Sequence, residues 1–163
     1  MLDQVTLFAQ FVAVTGAGAW LATGVWDNIA HPANNETYTA QVMGMERMAE
    51  DYPEQFQRVA HRAITTRPMQ KLAFRVVVLG ELVATLVLLG GSIALILAML
   101  GLSDPETARA ISLLGAALFT AVWSGFLVVG NYFCYWFCHE WGQNTHYQMT
   151  LWGLATMIFL VVS

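Results

Sequence analysis

The chain has 163 residues, of which 57% are hydrophobic and only 11% charged, against roughly 25% charged in an ordinary soluble domain. That balance excludes a disordered chain. The formal net charge of −4 offers no basic surface to nucleic acid.

The first apolar run covers residues 5–26 without one charged side chain. About 20 apolar residues in a helix cross roughly 30 Å of hydrocarbon, so a transmembrane helix is predicted here. The run follows Asp3 rather than a basic stretch and is longer than the apolar core of a secretory leader. It is therefore read as a retained span.

Residues 27–70 form the one sizeable polar segment. It is too short for a core of its own, so residues 1–163 are read as a single membrane domain. Tyr38, Val42, Met45 and Ala49 recur at helical spacing, with Glu46, Arg47 and Glu50 off that stripe. Tyr52-Pro53 interrupts the pattern. Phe56, Val59, Ala60, Ala63 and Ile64 then form a second stripe beside Gln57, Arg58 and Arg62, and Pro53 suits the first turn of its helix. Two short amphipathic helices are expected, lying at the membrane surface or on the ends of the spans. Thr66-Arg67-Pro68 is a break, and the helix of the second span, residues 72–100, starts at or just after Pro68.

Ser103-Asp104-Pro105-Glu106 reads as a capping box with proline in the first turn, opening the third span, residues 110–137. A helix from there to Cys138 would be roughly 50 Å long and would protrude or tilt. A short fourth span covers residues 147–162. The expected fold class is all-α: a polytopic membrane protein with four transmembrane helices and two short amphipathic helices in the first loop.

Four spans place the termini and residues 101–109 on one side, and residues 27–70 and 138–146 on the other. The second side then holds His31, His61, His139, His146 and, counting Lys71 and Arg75 just beyond the loop, six of the seven basic residues. The excess of basic residues favours a cytoplasmic location for that side. Small residues at four-residue spacing (Ala9, Ala13 and Ala17; Ala116, Thr120 and Ser124; Ala117, Ala121 and Gly125) allow close helix approach.

Little in the spans points to a reaction. A haem held inside a bundle needs facing histidines within the membrane, and these four lie at span ends or in loops. Cys134, Cys138, His139, Glu140 and His146 are metal-ligand types without a known ligand spacing. Cys138 and His139 are adjacent and point to different helix faces. Cys134 and Cys138, four apart on one predicted helix, read as small buried hydrophobes. No catalytic, cofactor-binding or metal residue is assigned. The residues expected to matter structurally are Glu81, Asn131, Tyr132, His139 and His146. A carboxylate in the bilayer costs several kcal/mol unless paired or protonated, so Glu81 should face the bundle interior. The favoured reading is a hydrogen bond to Asn131 or Tyr132; the alternative is a proton or ligand site. Trp26, Tyr132, Tyr135, Trp136, Trp141 and Tyr147 read as an aromatic belt at the polar end.

Asn34-Asn35 with Val42 and Met45, Arg62-Ala63-Ile64-Thr65, Gly80-Glu81-Leu82-Val83-Ala84 and Gly130-Asn131-Tyr132-Phe133 form a set of short motifs, with Trp136, Trp141 and Gln143 behind the last. In these, the chain resembles the bacterial family of predicted small integral membrane proteins, a domain of unknown function. The resemblance covers nearly the whole chain. It implies a four-helix membrane protein and no established activity. It also implies an outward location for the histidine-bearing side, opposite to the charge rule. Two departures stand out: Asp3, Asp104 and Glu106 occupy regions that tend to be basic in the family, and His139 stands where no histidine is expected.

The functional expectation is a non-catalytic accessory subunit of a larger bacterial membrane complex, respiratory or photosynthetic. Its partners would be other integral membrane subunits and the lipid bilayer, its location the bacterial inner membrane as a multi-pass protein. Bound lipids are expected, with no cofactor, no small-molecule substrate and no nucleic acid. The alternatives are a membrane electron-transfer protein binding quinone or haem, and a small self-associating transporter or channel built around Glu81.

Overall fold

Apolar side chains that cannot alternate between a wet and a dry face favour the helix, which satisfies its own backbone polar groups. A computed structural model of the protein describes residues 2–162. The long helices are α1 (Leu2–Ala30), α5 (Arg67–Met99), α6 (Pro105–Tyr132) and α7 (Glu140–Val162). Three short ones, α2 (Pro32–Gly44), α3 (Glu46–Asp51) and α4 (Pro53–Val59), lie between α1 and α5, followed by a 3-10 turn at Ala60–Arg62.

By length and composition, α1, α5 and α6 can each cross a membrane. α7 is a continuous helix, but its first part carries Glu140, Gln143, Asn144, Thr145, His146 and Gln148. Its apolar part, residues 149–162, is roughly 21 Å long, short of the hydrocarbon thickness.

Neighbours in the chain pack antiparallel. Gly18 of α1 sits beside Leu88 and Leu89 of α5, Gly91 and Gly115 bring α5 against α6, and Thr120 of α6 faces Gly153 of α7. The α1 residues turned inward are Leu7, Gln10, Val14, Ala17, Leu21, Val25 and Asn28. Steps of three and four make one narrow stripe, as helix packing requires. It meets Leu88 and Leu95 of α5, Phe119 and Trp123 of α6, and Leu160 of α7. At the end bearing the α5–α6 turn, Arg109 Nε donates to the buried Gln10 Oε1 at 3.1 Å. The cap of α6 is Asp104, one residue on from the Ser103 of the expected capping box: it accepts from Thr107 N and Thr107 Oγ1, both at 2.8 Å. These bonds hold its carboxyl below the usual range.

Two expectations about helix extent are corrected. The third long helix stops at Tyr132 instead of reaching Cys138. Cys134 adopts a left-handed backbone (φ 54°) and residues Tyr135–Phe137 form a 3-10 turn, so Cys134 and Cys138 do not share a helix. In the first loop, the stripe from Tyr38 to Ala49 is two helices, broken at Met45 (φ 53°). Met45 N–H bonds to the Gln41 and Val42 carbonyls, the left-handed ending common where a helix stops. The first loop thus holds three short helices where two were expected.

Candidate functional site at the polar end of the bundle

The two loops at the α1–α5 and α6–α7 ends form one cap. Its core is Met43, Met45 and Met48 from the first loop against Phe133 and Cys134 from the second. Methionine's unbranched side chain fills such an irregular junction between short helices. Gln70, buried near the start of α5, donates through Nε2 to the Ile64 carbonyl at 2.8 Å and the Ala40 carbonyl at 3.3 Å. Ile64 N–H reaches Met43 O at 2.8 Å. Arg47 Nη1 donates to Cys138 O at 2.8 Å, and Arg62 Nη1 to Tyr132 O at 3.3 Å. Arg47 and Arg62 of the first loop thereby satisfy carbonyls of the second, and Gln70 of α5 satisfies carbonyls of the first.

Glu81 is 5% exposed and faces the bundle, as expected. Its partner differs from the expected one. Glu81 Oε2 accepts from Asn28 Nδ2 at 2.8 Å, and Asn28 Oδ1 accepts from Asn35 Nδ2 at 2.6 Å. A polar chain therefore runs from α5 through the end of α1 to α2. Asn131 and Tyr132 lie elsewhere, and both are exposed. Tyr132 lies under the Arg62 guanidinium, which is 5.5 Å from its ring centroid. The reason is helix rotation. Gly80 faces Val122 on α6, and the next residue is turned about 100° from it, towards α1.

His139 and His146 enter an aromatic cluster. His139 is buried and meets the Tyr38 ring edge-on at 5.3 Å between centroids. His146 is nearly parallel to Phe126 at 4.6 Å and to Tyr135 at 5.9 Å, with Trp123 at 5.6 Å. Tyr38 Oη, Tyr135 Oη, His139 Nδ1, His146 Nδ1 and Trp123 Nε1 are buried without a protein hydrogen-bond partner. Burial pushes the Tyr38 phenol up, against the nearby Arg47 charge. Tyr135 is pushed up to about 12, by burial first and then by Tyr147 and Tyr38. Burial, and then Arg47, hold His139 below the usual imidazole range. These shifts favour the uncharged forms of Tyr38, Tyr135 and His139, which can donate or accept hydrogen bonds.

Among the described residues, no three His, Cys, Asp or Glu side chains converge on a point that could hold a metal ion. Cys134 and Cys138 are free thiols. Trp26, Tyr132, Trp136, Trp141 and Tyr147 are exposed, as a belt requires, whereas Tyr135 is 3% exposed and is a core residue of the cap. Tyr38 and Tyr135 were missed as members of a cluster. The signals for them are glycines. A Cβ at Gly130 would lie 2.7 Å from the Tyr135 ring, and one at Gly142 would lie 2.7 Å from Tyr38 Oη.

No curated protein and no solved structure matches the chain. Residues 6–163 match the family model described as predicted small integral membrane protein (DUF2165). With three membrane-length apolar helices and a match across nearly its full length, the chain belongs to this family of small integral membrane proteins of unknown function.

Proposed function

We propose that the protein is a non-catalytic accessory subunit of a larger complex in the bacterial inner membrane, of the respiratory or photosynthetic kind. The observation that carries this reading is where the small residues point. Gly91, Gly115 and Gly153 are used up inside the bundle, whereas a Cβ at Gly125 would meet nothing within 4 Å. Gly125 continues a row with Ala117 and Ala121, of which Ala121 is exposed. In a membrane, such a row lets a second helix approach closely and gain packing contacts. The polar loops meanwhile bond largely to each other and to helix ends, and add almost no extramembrane body.

The protein should co-purify, after gentle solubilisation of native membranes, with one set of larger membrane subunits identified by mass spectrometry. Ala121→Leu with Gly125→Leu should release it from that set while it remains folded. A wild-type protein that elutes alone, or a variant that keeps its partners, would count against the subunit reading.

We also propose that α7 crosses the membrane as a fourth span. It runs antiparallel beside α6, its 23 residues extend roughly 35 Å, and its polar first turns lie at the cap. Reporter fusions at Asp3 and after Val162 should report one compartment and a fusion at Gln55 the opposite one. Ser163, the last residue, lies outside the described residues. Opposite compartments for the two ends would remove the fourth span.

One observation favours a second reading, an electron-transfer protein that binds quinone or haem. The unpartnered Tyr38, Tyr135, His139 and His146 atoms are the hydrogen-bonding groups a quinone carbonyl needs. A stoichiometric quinone or a haem absorption band in the same preparation, lost in His146→Ala, would make this reading lead.

A further inference from the structure

We infer that the start of α5 is a binding site for the headgroup of an anionic diacyl phospholipid. Arg67, Lys71 and Arg75 follow one another at four-residue steps and are all exposed. Successive steps of four turn only about 40° around a helix, so the three cations form one row, roughly 12 Å long. With Pro68 and Leu72 they line a groove of about 540 Å³ open to the outside.

The charges in this row are only partly compensated. Lys71 Nζ is 3.8 Å from Glu36 Oε1, the one salt bridge among the described residues. Arg67 Nη1 makes a long contact, 3.5 Å, to the neutral Gln70 Oε1. Among the described residues, Arg75 has no hydrogen-bonding or ionic partner. Three cations against one carboxylate leave a net positive groove.

Its depth in the membrane selects the occupant. α5 has 33 residues and is roughly 50 Å long, well beyond the roughly 30 Å of hydrocarbon. From Val76 to Met99 the helix carries Glu81 and no other charge. The row therefore lies at headgroup level, just outside the apolar stretch. Directly below it, Val76, Leu79 and Val83 are exposed at 61%, 60% and 43%. A phosphate among the cations would place acyl chains along these side chains. A headgroup carrying its own ammonium, as in phosphatidylcholine, would bring a cation against the row. A phosphodiester without a compensating cation fits the charge. Interfacial Lys and Arg each add attraction for such lipids.

The test uses full-length protein in mild detergent and native mass spectrometry with equal amounts of phosphatidylglycerol and phosphatidylcholine. The first bound lipid should be phosphatidylglycerol by about tenfold, a preference two uncompensated cations can supply. Arg67→Gln with Lys71→Gln and Arg75→Gln should bring the two lipids to parity. Arg75→Gln alone should cut the preference several-fold, so the test survives if the triple variant fails to fold. Glu36→Gln should raise the preference, an effect that damage to the fold does not mimic. Arg58→Gln, on α4, should leave it unchanged. The proposal is overturned if wild type shows no preference, if Arg75→Gln or Glu36→Gln has no effect, or if Arg58→Gln abolishes the preference as fully. Inorganic phosphate should not displace the lipid; displacement at equal concentration would make this a soluble-anion site and overturn the lipid assignment.

Discussion

Gly115→Leu should abolish the folded bundle or lower its stability by about 3 kcal/mol or more, at the upper end of the range for overpacked cores. The cause is the α5–α6 crossing. A Cβ at Gly115 would lie 2.9 Å from Leu88 N and 3.0 Å from Leu88 Cα. Across the same crossing, a Cβ at Gly91 would lie 2.8 Å from Ser112 Cα. The obstacles are backbone atoms, which cannot step aside as a side-chain tip can. The helices would have to separate, losing contacts along the buried row of Leu88, Leu95, Ala108 and Phe119. Lipid tails are as apolar as leucine, so in a membrane those contacts are the main drive for association. Gly125→Leu is the matched control. It adds the same side chain to the same helix where nothing lies within 4 Å, and it should leave the unfolding temperature close to wild type. Thermal unfolding in detergent, followed by loss of the monodisperse chromatographic peak, reads both variants. If Gly115→Leu melts with wild type, the close crossing is wrong.

Glu81→Leu should cost about 1–3 kcal/mol, and Glu81→Gln far less. In wild type, Asn28 Nδ2 donates to Glu81 Oε2 and Asn28 Oδ1 accepts from Asn35, so Asn28 is satisfied on both sides. Leucine at position 81 leaves that Nδ2 buried and unpaired. Glutamine keeps a carbonyl oxygen in reach and removes only the capacity to carry charge. Asn28→Leu should be about as damaging as Glu81→Leu. The double variant should cost less than the sum, because the pair share one bond. Denaturation in a lipid-like micelle measures the cycle. Additive losses would mean that the two side chains do not interact. A different outcome would change the function: if Glu81→Gln abolished a proton-coupled activity while the parent complex assembled normally, the transporter reading would replace the accessory-subunit one.

Much of the architecture is legible in the residues. The run without charge at 5–26 becomes the body of α1, Pro68 stands in the first turn of α5, and Asp104-Pro105 opens α6. Each is a local effect: uninterrupted apolar length, a fixed proline φ, or a carboxylate reaching an N–H three residues on. The inward orientation of Glu81 is also legible, because a carboxylate facing lipid is too costly. The extent of α7 is less so. Its apolar residues suggest a short crossing, while the helix they belong to starts well before them, at Glu140.

What the sequence by itself determined is therefore the membrane class, the existence of the long apolar helices and the gathering of polar residues at one end. Only the tertiary structure decided which of those residues meet. The rotation of α5 put Gly80 on α6 and Glu81 on Asn28 of α1, where Asn131 or Tyr132 had been expected. The left-handed turn at Cys134 ended α6 early and folded Tyr135 back beneath Gly130, beside His146. Periodicity places a side chain on a face of its own helix. The neighbour on that face depends on how helices distant in sequence rotate and approach to fill space, and that was settled by packing at Gly91, Gly115 and Gly153.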